Sequence, residues 1–415
     1  LKLEICHMNI KPCVIGLGYV GLPALIKISK KFNSYGYDIS KDSIDGLKKG
    51  IDINKDFSKK TLSIIKSEQL TSKISDIKNC NFFIVCVPTP IKKNKDPNLL
   101  PLNLACRDLA KILKKKEIII FESTVYPGVT EDYCVKIIEK NCKLKRIKND
   151  FIVCYSPERI NPGDKKHTID KINKLIAIPN KKHDSIIKAV YKNLSKKLII
   201  TRSIKETETS KVIENIQRDL NIALMNEIFI FCKKLNLNFF NVLSHASTKW
   251  NFSKFLPGLV GGHCLPVDPY YFSYIAKKNN FKTNVTLSGR GINEYMRKFT
   301  IDQIYIELKN KKIKLNSDKI VFAGLTYKKN VSDIRNSHSL KIFQHFSKLY
   351  KKIHFIDPFI NLKNIRNKQI NINKILEEKN LKCIILLVDH NLFKSIIKKI
   401  NKKIPLINIF NFYEK

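Results

Sequence analysis

No stretch of this sequence approaches the roughly 20 consecutive apolar residues that a membrane-spanning helix needs, and Leu1 to Lys11 contain no apolar core of a secretory signal. The expectation is a cytoplasmic protein with no membrane partner. No C-x-x-C pair occurs, and the 11 cysteines are odd in number and lie mostly in apolar contexts. That speaks against a zinc site and against a disulfide framework. No metal is expected, and most thiols read as small core side chains. Acidic residues are also scarce: 36 Asp and Glu face 77 Lys and Arg, giving a net charge of +41. A charge of this size is the footprint of a nucleic-acid or acidic-lipid binder. The lysines are not gathered into one arm, however, and runs such as Lys114 to Lys116 read as solvated surface. Nucleic acid is therefore not the expected partner, although part of the charge would attract an anionic substrate and cofactor.

What is present has a clear rhythm. The length of 415 residues suits two or three domains, and 43% hydrophobic content suffices for several cores. Apolar strands are expected at Ile10 to Ile15, Tyr35 to Asp38, Phe82 to Val87, Ile118 to Phe121 and Phe151 to Tyr155, with a helix from Leu22 to Lys30. Strands alternating with helices indicate a parallel, doubly wound sheet. From Glu206 to Leu235 there is neither Gly nor Pro, and Val212, Ile213, Ile216, Leu220, Ala223, Leu224, Ile228 and Phe231 recur at helical spacing. This predicts a long helix that joins two lobes and carries a subunit interface. The α/β rhythm then restarts at Ile320 to Leu325, Ile353 to Asp357, Cys383 to Val388 and Leu406 to Phe410. The expected fold is α/β, with two Rossmann-like doubly wound lobes joined by a long central helix. The expected parts are a cofactor domain over 1–200, a central helical domain with the cysteine loop over 201–305, and a Rossmann-like substrate domain over 306–415.

Several segments carry chemistry. Gly16-x-Gly18-x-x-Gly21 lies between a strand and a helix, with Asp38 closing the next strand. The first glycine allows the tight turn, the second lets backbone approach a pyrophosphate, and the third lets helix and strand pack closely. The helix N-terminus supplies the anion site, and Asp38 would bind ribose hydroxyls and repel a 2′-phosphate, favouring NAD. The segment Gly261-Gly262-His263-Cys264-Leu265-Pro266-Val267-Asp268 presents a cysteine after two glycines and four residues before a carboxylate. A thiol so placed reads as a nucleophile, with His263 in a structural or substrate-contact role. Lys211 and Asn215 share one helix face and could stabilise an oxyanion; their plainer reading is surface. Glu158 in Ser156-Pro157-Glu158-Arg159-Ile160-Asn161-Pro162-Gly163 follows a buried strand, where open sheets place ligands. It is a candidate acid/base group or water activator, and the competing reading is a loop salt bridge to Arg159. Thr124, in Glu122-Ser123-Thr124-Val125-Tyr126-Pro127-Gly128, could position a water or a substrate hydroxyl.

Together these segments resemble the UDP-glucose/GDP-mannose dehydrogenase family over nearly the whole chain. The resemblance also rests on Val87-Pro88-Thr89-Pro90, Gly324-Leu325-Thr326-Tyr327-Lys328 and Asp333-Ile334-Arg335. Thr248-Lys249-Trp250-Asn251-Phe252, with His263 and Val267 beside the cysteine, looks like the branch acting on UDP-N-acetylhexosamines. The resemblance implies oxidation of the sugar C6 hydroxyl to the uronic acid, for surface polysaccharide or O-antigen synthesis, with two NAD used per product. It implies an aldehyde captured by Cys264, an oxyanion held by Lys211 and Asn215, and a thioester hydrolysed by water near Glu158 with help from Thr124 and Asp268. It further implies cofactor contacts from Tyr19, Val20, Pro88, Thr89, Thr124 and Arg335. Substrate contacts are implied for Glu158, Arg159, Lys211, Lys249, Trp250, Asn251 and Phe252, and for Gly261, His263, Tyr327 and Lys328, with the UDP held by the C-terminal lobe. A homodimer or higher even assembly is implied through the long helix. The alternatives are a UDP-glucose 6-dehydrogenase, a two-electron hydroxyacid dehydrogenase that would not need Cys264, and a basic nucleic-acid-binding protein on a dehydrogenase fold.

Overall fold

The computed structural model describes residues 10–53, 56–159, 171–360, 368–372, 375, 380–394 and 404–410. The chain divides into two compact units, one of residues 1–214 with 270–279 and one of 215–269 with 280–415.

The first unit is built on eight strands: β1 (Pro12–Ile15), β2 (Tyr35–Tyr37), β3 (Leu70–Thr71), β4 (Phe82–Val85), β5 (Ile118–Phe121), β6 (Ile152–Tyr155), β7 (Asn173–Ala177) and β8 (Lys197–Thr201). Their order is β3-β2-β1-β4-β5-β6-β7-β8. All neighbours are parallel except β6 and β7, which meet antiparallel at Tyr155 and Ala177. The order reverses at β1, so the turn after β1 opens at the switch point of a doubly wound sheet. Both faces are covered, which is why the strands are continuous apolar runs rather than alternating ones. Cys13, Ile15, Phe83, Val85, Ile119 and Phe121 point into one core, and Val14, Phe82, Ile84, Ile118 and Ile120 into the other. Helix α1 (Gly21–Ser29) covers the second face with Leu22, Leu25 and Ile26, and α2 (Leu100–Ile112) covers the first with Leu102, Cys106 and Leu109. Helix α3 (Asp184–Tyr191) adds Ile187, Val190 and Tyr191 to the second core. The expected strands appear where the apolar runs lie. Strands β3, β7 and β8 went unread, being short or carrying lysines at one end.

The expected long helix is α4 (Ile204–Lys234), and the division between the two units falls within it, after Glu214. At a rise of 1.5 Å per residue it is about 46 Å long. Its apolar residues do not form one stripe. Val212, Ile216 and Ala223 are buried, whereas Ile213, Leu224 and Phe231 are each more than half exposed. Spacings of 11 and 7 residues put these three on one line along the helix.

The second unit has a parallel sheet of β9 (Lys319–Ala323), β10 (Ile353–Ile356), β11 (Leu381–Leu386) and β12 (Leu406–Ile407), in the order β10-β9-β11-β12. Ile320 and Phe322 face one core, Val321 and Ala323 the other. Around it lie α5 (Phe239–Ala246), α7 (Asn284–Asn310) and α8 (His338–Leu349); α6 (Asp268–Lys278) comes between α5 and α7 in the chain. Helix α6 begins in this unit and continues, from Tyr270, in the first. Helices α4 and α7 pack tightly: a Cβ at Gly289 would collide with the Leu220 side chain. The buried Arg290 on α7 donates to Asp219 on α4 at 2.5 Å, and Asn293 donates to the same carboxylate at 2.8 Å. Burial pushes Asp219 up to about 6, although Arg290 and Asn293 favour its charge.

Candidate active site residues

In the first unit the turn after β1 fits a dinucleotide. Gly16 has φ +89°, and a Cβ there would lie 3.0 Å from the Cys86 carbonyl. A Cβ at Gly21 would overlap the Gly16 carbonyl oxygen, so the third glycine is required by helix–strand packing. Gly18 is exposed and faces open space, and a Cβ placed there would have no neighbour within 4 Å. That leaves bare backbone at the N-terminus of α1, where a pyrophosphate would be held. Asp38 accepts the Leu17 N–H at 2.8 Å and the Ser40 N–H at 2.9 Å, and its half-exposed carboxylate keeps lone pairs for ribose hydroxyls. Tyr19 and Val20 are half-buried in the same turn.

The loops after β4 and β5 are tied together. Ser123 Oγ donates to the Val87 carbonyl at 2.6 Å, and Thr89 Oγ1 to the Thr124 carbonyl at 2.6 Å. Tyr271 on α6 donates its hydroxyl to the Thr89 carbonyl. Pro88, Thr89 and Thr124 thereby stand at adjacent strand ends, with Pro88 exposed and the two threonines half-buried.

Glu158 is not paired with the Arg159 side chain. Its Oε2 accepts from Lys174 Nζ at 2.7 Å, and its Oε1 accepts the Arg159 backbone N–H at 2.6 Å. The Arg159 guanidinium turns instead to Glu214 on α4. Ile160 to Gly163 of that segment lie outside the described residues. A second tie fixes α4 one turn before Lys211: Glu208 accepts the N–H groups of Gly128 at 2.5 Å and Thr130 at 2.9 Å. Burial pushes Glu208 up to about 7, against those donors. Lys211, itself buried, therefore stands on a stretch of helix anchored before and after it.

In the second unit the cysteine loop is clasped along its length. The Asn226 side chain on α4 donates to the Gly258 carbonyl at 3.1 Å and accepts the Gly258 N–H at 2.8 Å. Gly262 donates its N–H to the Arg335 carbonyl at 3.0 Å and accepts from Asn336 Nδ2 at 2.8 Å. Gly262 has φ +91°, and a Cβ there would meet the Tyr327 ring at 2.8 Å, while one on Gly261 would meet Tyr327 Cβ at 2.7 Å. The two glycines exist because Tyr327 lies against them. Arg335 grips Asp333 with Nε and Nη2, and His263 Nδ1 is 4.0 Å from the same carboxylate. The Cys264 carbonyl accepts the N–H groups of Val267 and Asp268, both at 2.9 Å, so Asp268 opens α6 one turn beyond the thiol. Asn215 Nδ2 donates to the buried Asp268 Oδ2 at 2.5 Å. Among the described cysteines eight are buried, and solvent reaches Cys142 and Cys264.

The structure thus brings Cys264, Asp268 and Asn215 together, and separately Gly261, His263, Tyr327 and Arg335. Lys249, Trp250 and Asn251 lie on an exposed turn, Trp250 being 91% exposed, while Phe252 packs toward the apolar core. Lys328 is half-buried, and its carbonyl accepts from Thr326 Oγ1 at 2.8 Å. Sequence reasoning missed Lys174, Glu208 and Asn226. Only Lys174 left a signal, a cation inside an apolar strand, and the lysine content of the chain hid it. Among the described residues no His, Cys, Asp and Glu group could hold a metal, and no helix is long and apolar enough to cross a membrane.

Three profiles match the chain: the UDP-glucose/GDP-mannose dehydrogenase family NAD binding domain over residues 8–195, its central domain over 205–295 and its UDP binding domain over 321–415. A UDP-N-acetyl-D-glucosamine 6-dehydrogenase of Salmonella typhi is 38% identical, covering 93% of this chain and 91% of its own length. An enzyme of the same description from Pseudomonas aeruginosa is 39% identical over 85% of this chain and 84% of its own. The solved structure of a UDP-D-ManNAc dehydrogenase from Pyrococcus horikoshii superposes with a TM-score of 0.84 at 30% identity, covering 96% of both chains.

Proposed function

This chain belongs to the UDP-glucose/GDP-mannose dehydrogenase family, and from that premise we propose that it oxidises the C6 hydroxyl of a UDP-N-acetylhexosamine to the carboxylate, through a thioester on Cys264. NAD, when held by the first domain, would supply the hydride acceptor, one molecule for each of the two oxidations. Everything else falls to side chains. As the C6 hydrogen leaves as hydride, a water held by Lys211 and by Asp268, which Asn215 orients, takes the C6 hydroxyl proton. The Cys264 sulfur adds to the resulting aldehyde carbon, and Lys211 and the Asn215 amide stabilise the oxygen that gains charge. Loss of a second hydride leaves the thioester. Glu158 then takes a proton from water, hydroxide adds to the acyl carbon, the C–S bond breaks, and the acid departs from Cys264. Thr124 orients that water.

The observation that carries this reading is the Asn215–Asp268 hydrogen bond one helical turn from a solvent-reached thiol. A two-electron alcohol dehydrogenase has no use for such a thiol. The relatives named for N-acetylglucosamine and N-acetylmannosamine substrates favour an acetamido sugar and support a place in polysaccharide precursor synthesis. The division into 1–200, 201–305 and 306–415 assigns cofactor, cysteine loop and UDP to successive parts. The exposed line of Ile213, Leu224 and Phe231 on α4 supports pairing with a second copy, which sedimentation would read as an even-numbered assembly. Thiols rather than disulfides among the described residues suit a cytoplasmic setting. The test is a panel of UDP-sugars with NAD. Turnover of a UDP-N-acetylhexosamine with two NADH per sugar supports the proposal. Turnover of UDP-glucose alone, one NADH per sugar, or full steady-state turnover by Cys264→Ser defeats it.

A further inference from the structure

Lysine is costly to bury, yet Lys174, the second residue of its strand, is 2% exposed. It stands on β7 on the same face as Ile176, with Nζ 5.9 Å from the centre of the Tyr191 ring. Two carboxylates hold it: Glu158 Oε2 at 2.7 Å and Glu122 Oε2 at 3.1 Å. Tyr191 donates its hydroxyl to the other oxygen of Glu122 at 2.6 Å. Burial alone would strip the proton from Lys174, but the two carboxylates outweigh it and hold the ammonium well above the ordinary lysine range. Burial pushes Glu122 up, against the pull of Lys174.

A structural ion pair needs one carboxylate. The second adds a buried negative charge, and its chemical consequence falls on Glu158. An ammonium alone beside Glu158 would fix its orientation but weaken it as a base, because protonation would then strand a lone buried cation. With Glu122 present, the cluster of two carboxylates and one ammonium carries one net negative charge. Proton uptake by Glu158 brings that cluster to neutrality, with Glu122 still paired to Lys174. Orientation is secured without loss of basicity. Glu158 Oε1 is fixed by the Arg159 N–H, so both oxygens are held by donors that cannot move away with the loop side chains.

Resting on the reading of Glu158 as the group that activates water, we propose that Lys174 is the positioning residue of thioester hydrolysis, and that Glu122 is the counter-charge that keeps Glu158 able to take the proton. The step balances within the chain: the proton passes from water to Glu158, hydroxide bonds to the acyl carbon, and the electron pair of the C–S bond returns to Cys264.

The experiment mixes each variant with UDP-N-acetylglucosamine and NAD, and reads NADH formed in the first turnover, steady-state kcat and KM, and the intact mass of the protein. Lys174→Met is expected to keep the first-turnover NADH, to lose ~100-fold in kcat, and to accumulate an acyl adduct on Cys264 with the sugar KM little changed. Lys174→Arg restores most of that loss. Glu122→Gln moves the acidic limb of kcat to lower pH, since the like charge beside Glu158 is gone. Should Lys174→Met fail to fold, Lys174→Met/Glu122→Gln removes the unpaired second carboxylate and carries the same test. Wild-type kcat in Lys174→Met or in the double variant, or a slow Lys174→Met with no adduct, overturns the role of Lys174. An unmoved pH limb in Glu122→Gln overturns that of Glu122. Glu158→Gln separates the two levels: if it accumulates no adduct, the reading of Glu158 falls, whereas an adduct with Glu158→Gln but none with Lys174→Met defeats the positioning claim alone.

Discussion

Two turns in this molecule begin alike and end differently. After β1 the chain reads Gly16-Leu17-Gly18, and after β9 it reads Gly324-Leu325-Thr326. Both leading glycines are left-handed, with φ +89° and +83°, and both turns are closed by an aspartate that ends the neighbouring strand. Asp38 accepts the Leu17 N–H at 2.8 Å, and Asp357 accepts the Leu325 N–H at 2.7 Å. There the likeness stops. The second glycine of the first turn is exposed, and its aspartate is half-exposed. In the other turn Thr326 fills the corresponding place and is buried, Asp357 also faces the Thr326 N–H at 3.3 Å, and His390 Nε2 lies 3.3 Å from its carboxylate. The Asn330 N–H donates to His390 Nδ1 at 2.9 Å, so the proton of that ring is assigned to Nε2, facing Asp357. One turn offers its polar groups outward; the other spends the same groups on its own interior. The same backbone device therefore leaves its polar groups open to a ligand in one place and closes them into the fold in the other, and a glycine–aspartate signature alone does not tell them apart.

Three changes test that contrast. The largest effect is expected from Asp357→Ala, which leaves two amides and an imidazole N–H buried without an acceptor. It should cost about 3 kcal/mol in urea unfolding and leave the KM for NAD of the folded protein unchanged; a raised KM would mean that Asp357 also serves a ligand. Gly18→Val comes next. Its Cβ has open space, so the melting temperature should move by no more than ~2 °C, while the KM for NAD rises on the order of 10- to 100-fold, as loss of one or two well-placed contacts implies. An unchanged KM would remove the ground for placing a pyrophosphate there. The smallest effect concerns pH. His338 on α8 is buried, and burial holds it down at about 4, with Glu294 opposing and Lys341, Arg297 and Arg290 adding to the shift. Its folded value lies below its unfolded one, so between pH 6.5 and 4 the unfolded chain binds a proton that the folded chain refuses. Stability from this group is present above that window and lost as pH falls through it. Relative to His338→Gln, the wild-type urea midpoint should therefore drop on acidification, by an amount worth on the order of 1–3 kcal/mol at about pH 4. Parallel titrations of the two proteins would place the group differently.

How much could be read beforehand follows the same division. The first turn was legible because its tight backbone, the open space at Gly18 and the helix–strand contact at Gly21 together leave a spaced pattern, Gly16-x-Gly18-x-x-Gly21. The second lobe showed its strands but hid its polar interior, since Asp357 and His390 are far apart in sequence and join only through the fold. Fully buried strands such as Phe82–Val85 announce themselves as apolar runs; Lys197–Thr201 opens on a lysine and is half-exposed, so it did not. The periodicity of α4 gave a helix but not its two faces, because Ile213 and Ile216 are alike as letters and opposite in environment. Cys264 and Asp268 were legible through spacing, and the Asn215 bond to Asp268 followed from one helix meeting the start of another. Lys174 was not, because only its two distant carboxylates distinguish it from the other lysines.

The way the thiols are distributed sets how the protein meets electrophiles. A small alkylating reagent encounters, among the described residues, two accessible sulfurs rather than ten: Cys142, just after a helix of the first unit, and Cys264, in the glycine-led loop. With Cys142 replaced by alanine, Cys264 is the one solvent-reached sulfur left among the described residues, so intact mass and peptide mapping after one equivalent of reagent read how far the cysteine loop opens to solvent.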